Sequence, residues 1–253
     1  MRAVVMRMWL ASLLVAAAWT GEVRAWGDAP THFSLCGEPA VQEKFVLRFD
    51  PDLFPLFVEA AAGPDLANTL LFQASGRDYI HEAAFLAALD YVASHPKDRR
   101  WRSAWRPTWP VIAAAWRAHL AADEVAHSQF VPPDSLRHEL VELAVDTCVY
   151  YLKPVPEALG DSWREVNISE DACDPALLYW ASYLYTGGRR PVYPWMTREA
   201  LGSLRRSIEA AYELHEARGG PEGSEALLKF LVPGKDWKAF YGASMTAVVN
   251  SLP

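Results

Sequence analysis

Apolar residues in this 253-residue chain recur at helical spacing over long stretches, and strand-type alternation is almost absent. In "YIHEAAFLAALDYVASH" the residues Ile80, Ala84, Ala88 and Tyr91 fall at positions that share one helical face. "TWPVIAAAWRAHLAADEVAHSQF" and "DSLRHELVELAVDTCVYYL" follow, parted by Pro132 and Pro133, with Asp134 available as an N-cap. "DPALLYWASYLYTGG" stops at Gly187 and Gly188, and "TREALGSLRRSIEAAYELHEARGG" runs from a cap at Thr197 to a stop at Gly219. A last helical pattern covers 224–252 and breaks around "VPGKD". There is no internal repeat, no low-complexity tract and no hairpin turn between alternating runs. The sequence predicts an all-α fold built as a single multi-helix domain.

The first 25 residues have the three parts of a secretory signal. Arg2 and Arg7 give a positive start, "MWLASLLVAAAW" an apolar middle, and "VRA" puts Val23 and Ala25 where a signal peptidase reads. The apolar run is short for a membrane span. A signal over 1–25 and a secreted or periplasmic domain over 26–253 are therefore expected. The leader carries Arg2, Arg7 and Arg24 against Glu22, a net +2; removing it takes the chain from −7 to −9. A protein living by non-specific duplex binding needs a basic face, so that class is disfavoured. Of Cys36, Cys148 and Cys173 at most one internal pair can form, and the sequence does not choose it.

The densest chemistry is "HLAADEVAH", with His119, Asp123 and His127 at i, i+4 and i+8. Four residues advance a helix by about 400°, so the three side chains drift only ~40° per step along one stripe. The flanking alanines leave room beside it. His138 and Glu142 repeat the spacing on the next helix, with Asp146 one turn on, and the Pro132–Pro133 joint can turn the two stripes together. Imidazole and carboxylate at this density are a zinc donor set. His81 lies early in an alanine-rich helical pattern, with Phe85 on its face. Asp65 follows Pro64 at a helix start, and Asp78 in "SGRDYIH" competes with it as the carboxylate near His81. His95, before a proline, and His215, in a charge-rich helix, carry no such pattern.

The ordered set Trp26…His32…Asp65…His81…His119-x-x-x-Asp123-x-x-x-His127…His138-x-x-x-Glu142 resembles the zinc-dependent phospholipase C family, whose fold is shared with fungal zinc-dependent single-strand nucleases. The resemblance spans Trp26 to Glu142, about half of the chain after the leader; the rest matches only in being helical. It implies a helical domain with a cleft holding up to three zinc ions (Zn²⁺). Asp65, His81, His119 and Asp123 would hold one, and His127, His138 and Glu142 a second. The third would take Asp123 as a bridge, His32, and the amine and carbonyl of a mature N-terminal Trp26. A free α-amine has a pKa near 8, so a metal can displace its proton at small cost, whereas an amide nitrogen in the uncut chain has no available lone pair.

The implied activity is a secreted phosphoric diester hydrolase. Water attacks phosphorus with Asp65 as the catalytic carboxylate that orients or deprotonates it, and no covalent intermediate forms. Two departures bear on substrate. The secreted lecithin-cleaving enzymes and the fungal nucleases have five residues between the bridging aspartate and the next histidine. The three residues here look more like the zinc domain of glycosylphosphatidylinositol-specific phospholipase D. The nucleases' His-Gln-Pro-Leu-His stretch is absent. The expected substrate is a phospholipid, met at a membrane surface by a monomer. A nucleic acid cut by a single-strand nuclease is the alternative, and a non-catalytic zinc domain that binds lipid or a partner is the third class. "RRWRSAWRPTW" interleaves Arg99, Arg100, Arg102 and Arg106 with Trp101, Trp105 and Trp109; the segment can either meet lipid headgroups or pack its tryptophans on the core.

Overall fold

The computed structural model describes residues 29–131, 135–163, 166–217 and 220–253. The expected signal, Trp26, the Pro132–Pro133 joint with Asp134, and Gly219 lie outside the described residues. Among the described residues there are α-helices, short 3-10 turns and one π turn, and no strand. The fold is all-α. The helices are α1 (Ala29–Cys36), α2 (Pro39–Phe45), α3 (Phe54–Ala60), α4 (Leu70–Ala74), α5 (Ala83–Ser94), α6 (Trp109–Val125), α7 (Ser135–Leu152), α8 (Pro175–Tyr185), α9 (Pro194–Ala217), α10 (Glu222–Leu231) and α11 (Trp237–Ser251).

α6 is the central element. Val111 to Trp116, Ala118, His119 and Ala122 are all buried, so apolar contact surrounds the helix rather than lining one face. Its alanines let α3, α5 and α11 approach closely, and α1 lies across both α6 and α7. α7 packs on α10, and α5 packs on α8. The alanine stretch therefore serves helix packing rather than leaving open space beside the histidine stripe.

Local signals set most boundaries. Asp174 caps α8, its side chain accepting from the amides of Ala176 and Leu177 at 2.8 and 3.1 Å. Gly188, at φ +78°, ends it by donating its amide to the Tyr183 carbonyl at 2.8 Å. Asp236 caps α11 through the Lys238 amide at 3.0 Å.

Three expectations are corrected. α9 starts at Pro194, because proline enters a helix at its first turn without losing a bond; Thr197 is inside the helix and buried, not its cap. α5 starts at Ala83, after an extended Glu82, so His81 is in the 3-10 turn Asp78–His81 and not in the helix. The buried face of α5 is Phe85, Leu89, Val92 and Ala93, while Tyr91 is exposed. Larger apolar side chains outbid the small Ala84 and Ala88 for the core.

Of the two readings open for residues 99–109, the structure takes core packing. Trp101 and Trp109 are fully buried, and the indole N–H groups of Trp101, Trp105 and Trp109 donate to the His95 carbonyl, the Ala93 carbonyl and Asp174 at 2.9, 2.9 and 3.0 Å. Arg99, Arg100, Arg102 and Arg106 stay exposed. The tryptophans pack on the core with their polar edges satisfied, so this segment does not present them to lipid. Cys36, Cys148 and Cys173 are buried free thiols, each pushed up to about 12 by burial. No helix of the described residues is long and apolar enough to cross a membrane.

Candidate metal centre

Three parts of the chain converge on α6. The 3-10 turn Gly63–Asn68 brings Asp65, the turn Asp78–His81 brings His81, and α1 brings His32. Trp116, one turn before His119, holds two of them. Its indole donates to the Ile80 carbonyl at 3.1 Å, fixing the His81 turn. A Cβ on Gly63 would sit 2.3 Å from its ring, so only glycine lets the Asp65 turn lie this close to α6.

Asp123 is the hub. Its Oδ1 is 3.2 Å from His32 Nε2, and its Oδ2 is 3.0 Å from His81 Nε2 and 3.1 Å from His119 Nε2. His81 Nε2 and His119 Nε2 are 2.9 Å apart. Asp65 Oδ1 lies 3.9 Å from His119 Nε2 and accepts from Asn68 at 3.3 Å. Asp65 Oδ2 and His32 Nδ1 are buried without a hydrogen-bond partner. Asp78, the competing carboxylate, is exposed, so Asp65 is the one the fold brings to the histidines.

His119 Nδ1 sits 2.7 Å from the Ala61 carbonyl. A carbonyl only accepts, so Nδ1 carries the proton and a neutral His119 points its Nε2 lone pair at Asp123 and His81. The His32 ring stacks on His119 at 3.8 Å. Neither the Ala61 carbonyl nor Trp116 is visible as a site residue in the sequence; Trp116 three residues before His119 was the available signal.

The second group forms between α6 and α7. The chain leaves α6 through the π turn Ala126–Phe130, and that wider turn carries His127. Its Nε2 lies 3.4 Å from Glu142 Oε1, and His138 Nε2 lies 2.6 Å from the same oxygen. The single stripe of His119, Asp123 and His127 therefore serves two donor groups, with the division at the π turn. Asp146, one turn past Glu142, accepts from the Thr31 amide and hydroxyl at 3.2 and 2.5 Å. That contact fastens α1, and His32 with it, to the helix bearing His138 and Glu142.

His32–Asp65–His119, His81–His119–Asp123 and His127–His138–Glu142 each bring donor atoms within 4.8 Å of one another. Convergent lone pairs and two buried, unpartnered polar atoms fit a divalent cation that accepts nitrogen and oxygen. His215, by contrast, is buried against Thr147 at 2.8 Å, and His95 is exposed beneath Tyr91. A cavity of about 880 Å³ is lined by residues that include Glu38, Asp52 and Lys153, and none of the candidate ligands lines it.

Burial opposes charge on His32 and His81, but the Asp123 carboxylate outweighs it and holds both above the ordinary imidazole value. Burial dominates at His119 and holds it below. Asp123 and Glu142 resist burial through their histidines and sit below the carboxylate range. Burial pushes Asp146 up to about 8. In metal-free protein the raised histidines and Asp146 stabilise fully below their unfolded values and lose that contribution as pH rises through the folded ones. The depressed carboxylates stabilise above about pH 5 and lose it as pH falls; His119 works against its neighbours. Urea melts in chelator are expected to show highest stability near pH 5–6 and a decline toward pH 8. Stabilisation by added zinc should grow over that same interval, because the cation competes with protons for these lone pairs. A metal-free profile flat from pH 5 to 8 would contradict this coupling.

No family model, curated protein or solved structure matches the chain.

Proposed function

We propose that this chain is a zinc-dependent phosphodiester hydrolase of the phospholipase C type, acting on phospholipids. The observation that carries the reading is Asp123. One carboxylate oxygen faces His32 and the other faces His81 and His119, the arrangement of a carboxylate shared between two cations. Asp65, His81, His119 and Asp123 would hold one zinc, His127, His138 and Glu142 another, and Asp123 with His32 and the Trp26 amine a third.

Bound zinc would supply positive charge to a phosphodiester and acidify a water molecule. The protein's own groups orient and time that chemistry. His119, locked by the Ala61 carbonyl, keeps its Nε2 lone pair directed inward. Asp65 keeps one buried oxygen without a partner, available to accept a proton from water aimed at phosphorus. The Asp146–Thr31 contact keeps the two donor groups in register.

The test is zinc analysis of chain beginning at Trp26, purified without chelator, with assays on phosphatidylcholine liposomes, a soluble phosphodiester and single-stranded DNA. Bound zinc with release of diacylglycerol and a phosphorylated head group is the expected result. Faster cleavage of the DNA would assign the chain to the nuclease class, release of phosphatidic acid would move the cut to the other ester bond, and zinc without turnover would leave a binding domain. Protein without zinc would overturn the reading.

A further inference from the structure

The structure exposes Tyr91, Tyr151 and Phe230 singly, and three further aromatic residues around one connection away from 99–109. Tyr183 on α8 and Tyr193 and Trp195 at the start of α9 are 39, 44 and 60% exposed. Tyr179 ties the tyrosines together, its ring 6.1 Å from Tyr183 and 6.0 Å from Tyr193. The connecting segment 186–198 holds Arg189, Arg190 and Arg198 and no acidic residue, in a chain of net charge −7.

This surface is held firmly. The Val192 amide donates to Ser182 at 2.7 Å, and the Arg190 amide to Thr186 at 3.2 Å. Gly188 passes so close to Tyr183 that a Cβ there would meet the ring at 3.0 Å. Tyr79 donates to the Arg190 carbonyl at 2.6 Å and Arg77 to the Pro191 carbonyl at 3.0 Å, so the segment is bolted to the short turn that carries His81. Large aromatic side chains facing solvent on a fixed backbone are not a product of a loose loop.

We infer that Tyr183, Tyr193 and Trp195, with Arg189 and Arg190, form a docking face for a phospholipid bilayer beside the His81 edge of the metal centre. Tyrosine and tryptophan have an apolar body and a polar tip, which suits the headgroup boundary. Arginine pairs with lipid phosphate, giving this face charge complementarity to a bilayer in a chain that is acidic overall. The proposal rests on the phospholipid reading for its choice of partner, but its readout is binding.

The experiment is sedimentation of the full chain with phosphatidylcholine vesicles, with and without phosphatidylserine, for wild type, Tyr193→Ser/Trp195→Ser and Arg189→Gln/Arg190→Gln. Wild type should bind. The aromatic variant should bind about tenfold or more weakly to both vesicles, the scale expected for losing two partly inserted rings. The arginine variant should lose mainly the gain from phosphatidylserine. Hydrolysis of a soluble phosphodiester should be unchanged in both, and circular dichroism should match wild type. Equal vesicle binding by all three proteins, or none by wild type, overturns the docking face and leaves the metal centre standing. Vesicle binding without hydrolysis of any diester leaves the face standing and removes the catalytic reading. Concentration-dependent self-association abolished by the same serines would assign the surface to a second copy of the chain instead.

Discussion

Asp123→Ala is expected to remove two cations together and to lower diester hydrolysis by roughly 10³-fold or more, the scale of losing a principal electrostatic contribution to a transition state. The reason is in its two oxygens. Oδ1 serves His32 and Oδ2 serves His81 and His119, so truncation takes a donor from both groups at once. Glu142→Ala is the matched comparison. Its carboxylate joins only His127 and His138, so one cation should leave and the Asp123 group should stay loaded. Metal content by mass spectrometry of the intact protein distinguishes the two patterns. Helical content should persist in both, because Trp116, Trp109 and Phe85 form the packing around α6 and none depends on the carboxylates. Equal metal loss in the two variants would mean that Asp123 belongs to one cation only.

One or two residues added ahead of Trp26 should abolish hydrolysis to a similar degree while leaving the helices intact. Trp26 is three residues before the first helical residue of α1, a reach of at most about 10 Å. α1 is anchored by Thr31 on Asp146 and carries His32 against Asp123. On the proposed reading the Trp26 α-amine joins His32 and Asp123 as a ligand, and an added residue converts that amine into an amide with no lone pair to give. Trp26→Phe with the same start should be much milder, because the ligating atoms are backbone. Equal turnover by extended and unextended protein would make Trp26 an ordinary aromatic residue.

The helical class and the donor stripes His119–Asp123–His127 and His138–Glu142 were legible in sequence because both are periodic, local properties. The 3.6-residue recurrence names helices wherever it runs long, as in 109–130 and 135–152. The i, i+4 spacing names side chains on one stripe without reference to any other part of the chain.

The choices among those residues were made in three dimensions. Asp65 and Asp78 are both acids in short turns near His81. What separates them is that Gly63 admits the Trp116 ring, which brings Asp65 to His119 and leaves Asp78 in solvent. His81 reads as helical, but the Trp116 indole takes the Ile80 carbonyl and holds His81 in a turn aimed at Asp123. The tryptophans of 99–109 and Trp195 are indistinguishable by residue type and by the arginines near them in sequence. Burial separates them, because Trp101 and Trp109 find long-range packing partners and carbonyl or carboxylate acceptors, while Trp195 stays 60% exposed. Sequence by itself determined the all-α class and placed His119, Asp123, His138 and Glu142 at helical spacing. Only the tertiary structure decided which of them meet, because burial and hydrogen bonding between residues far apart in the chain outweigh local periodicity.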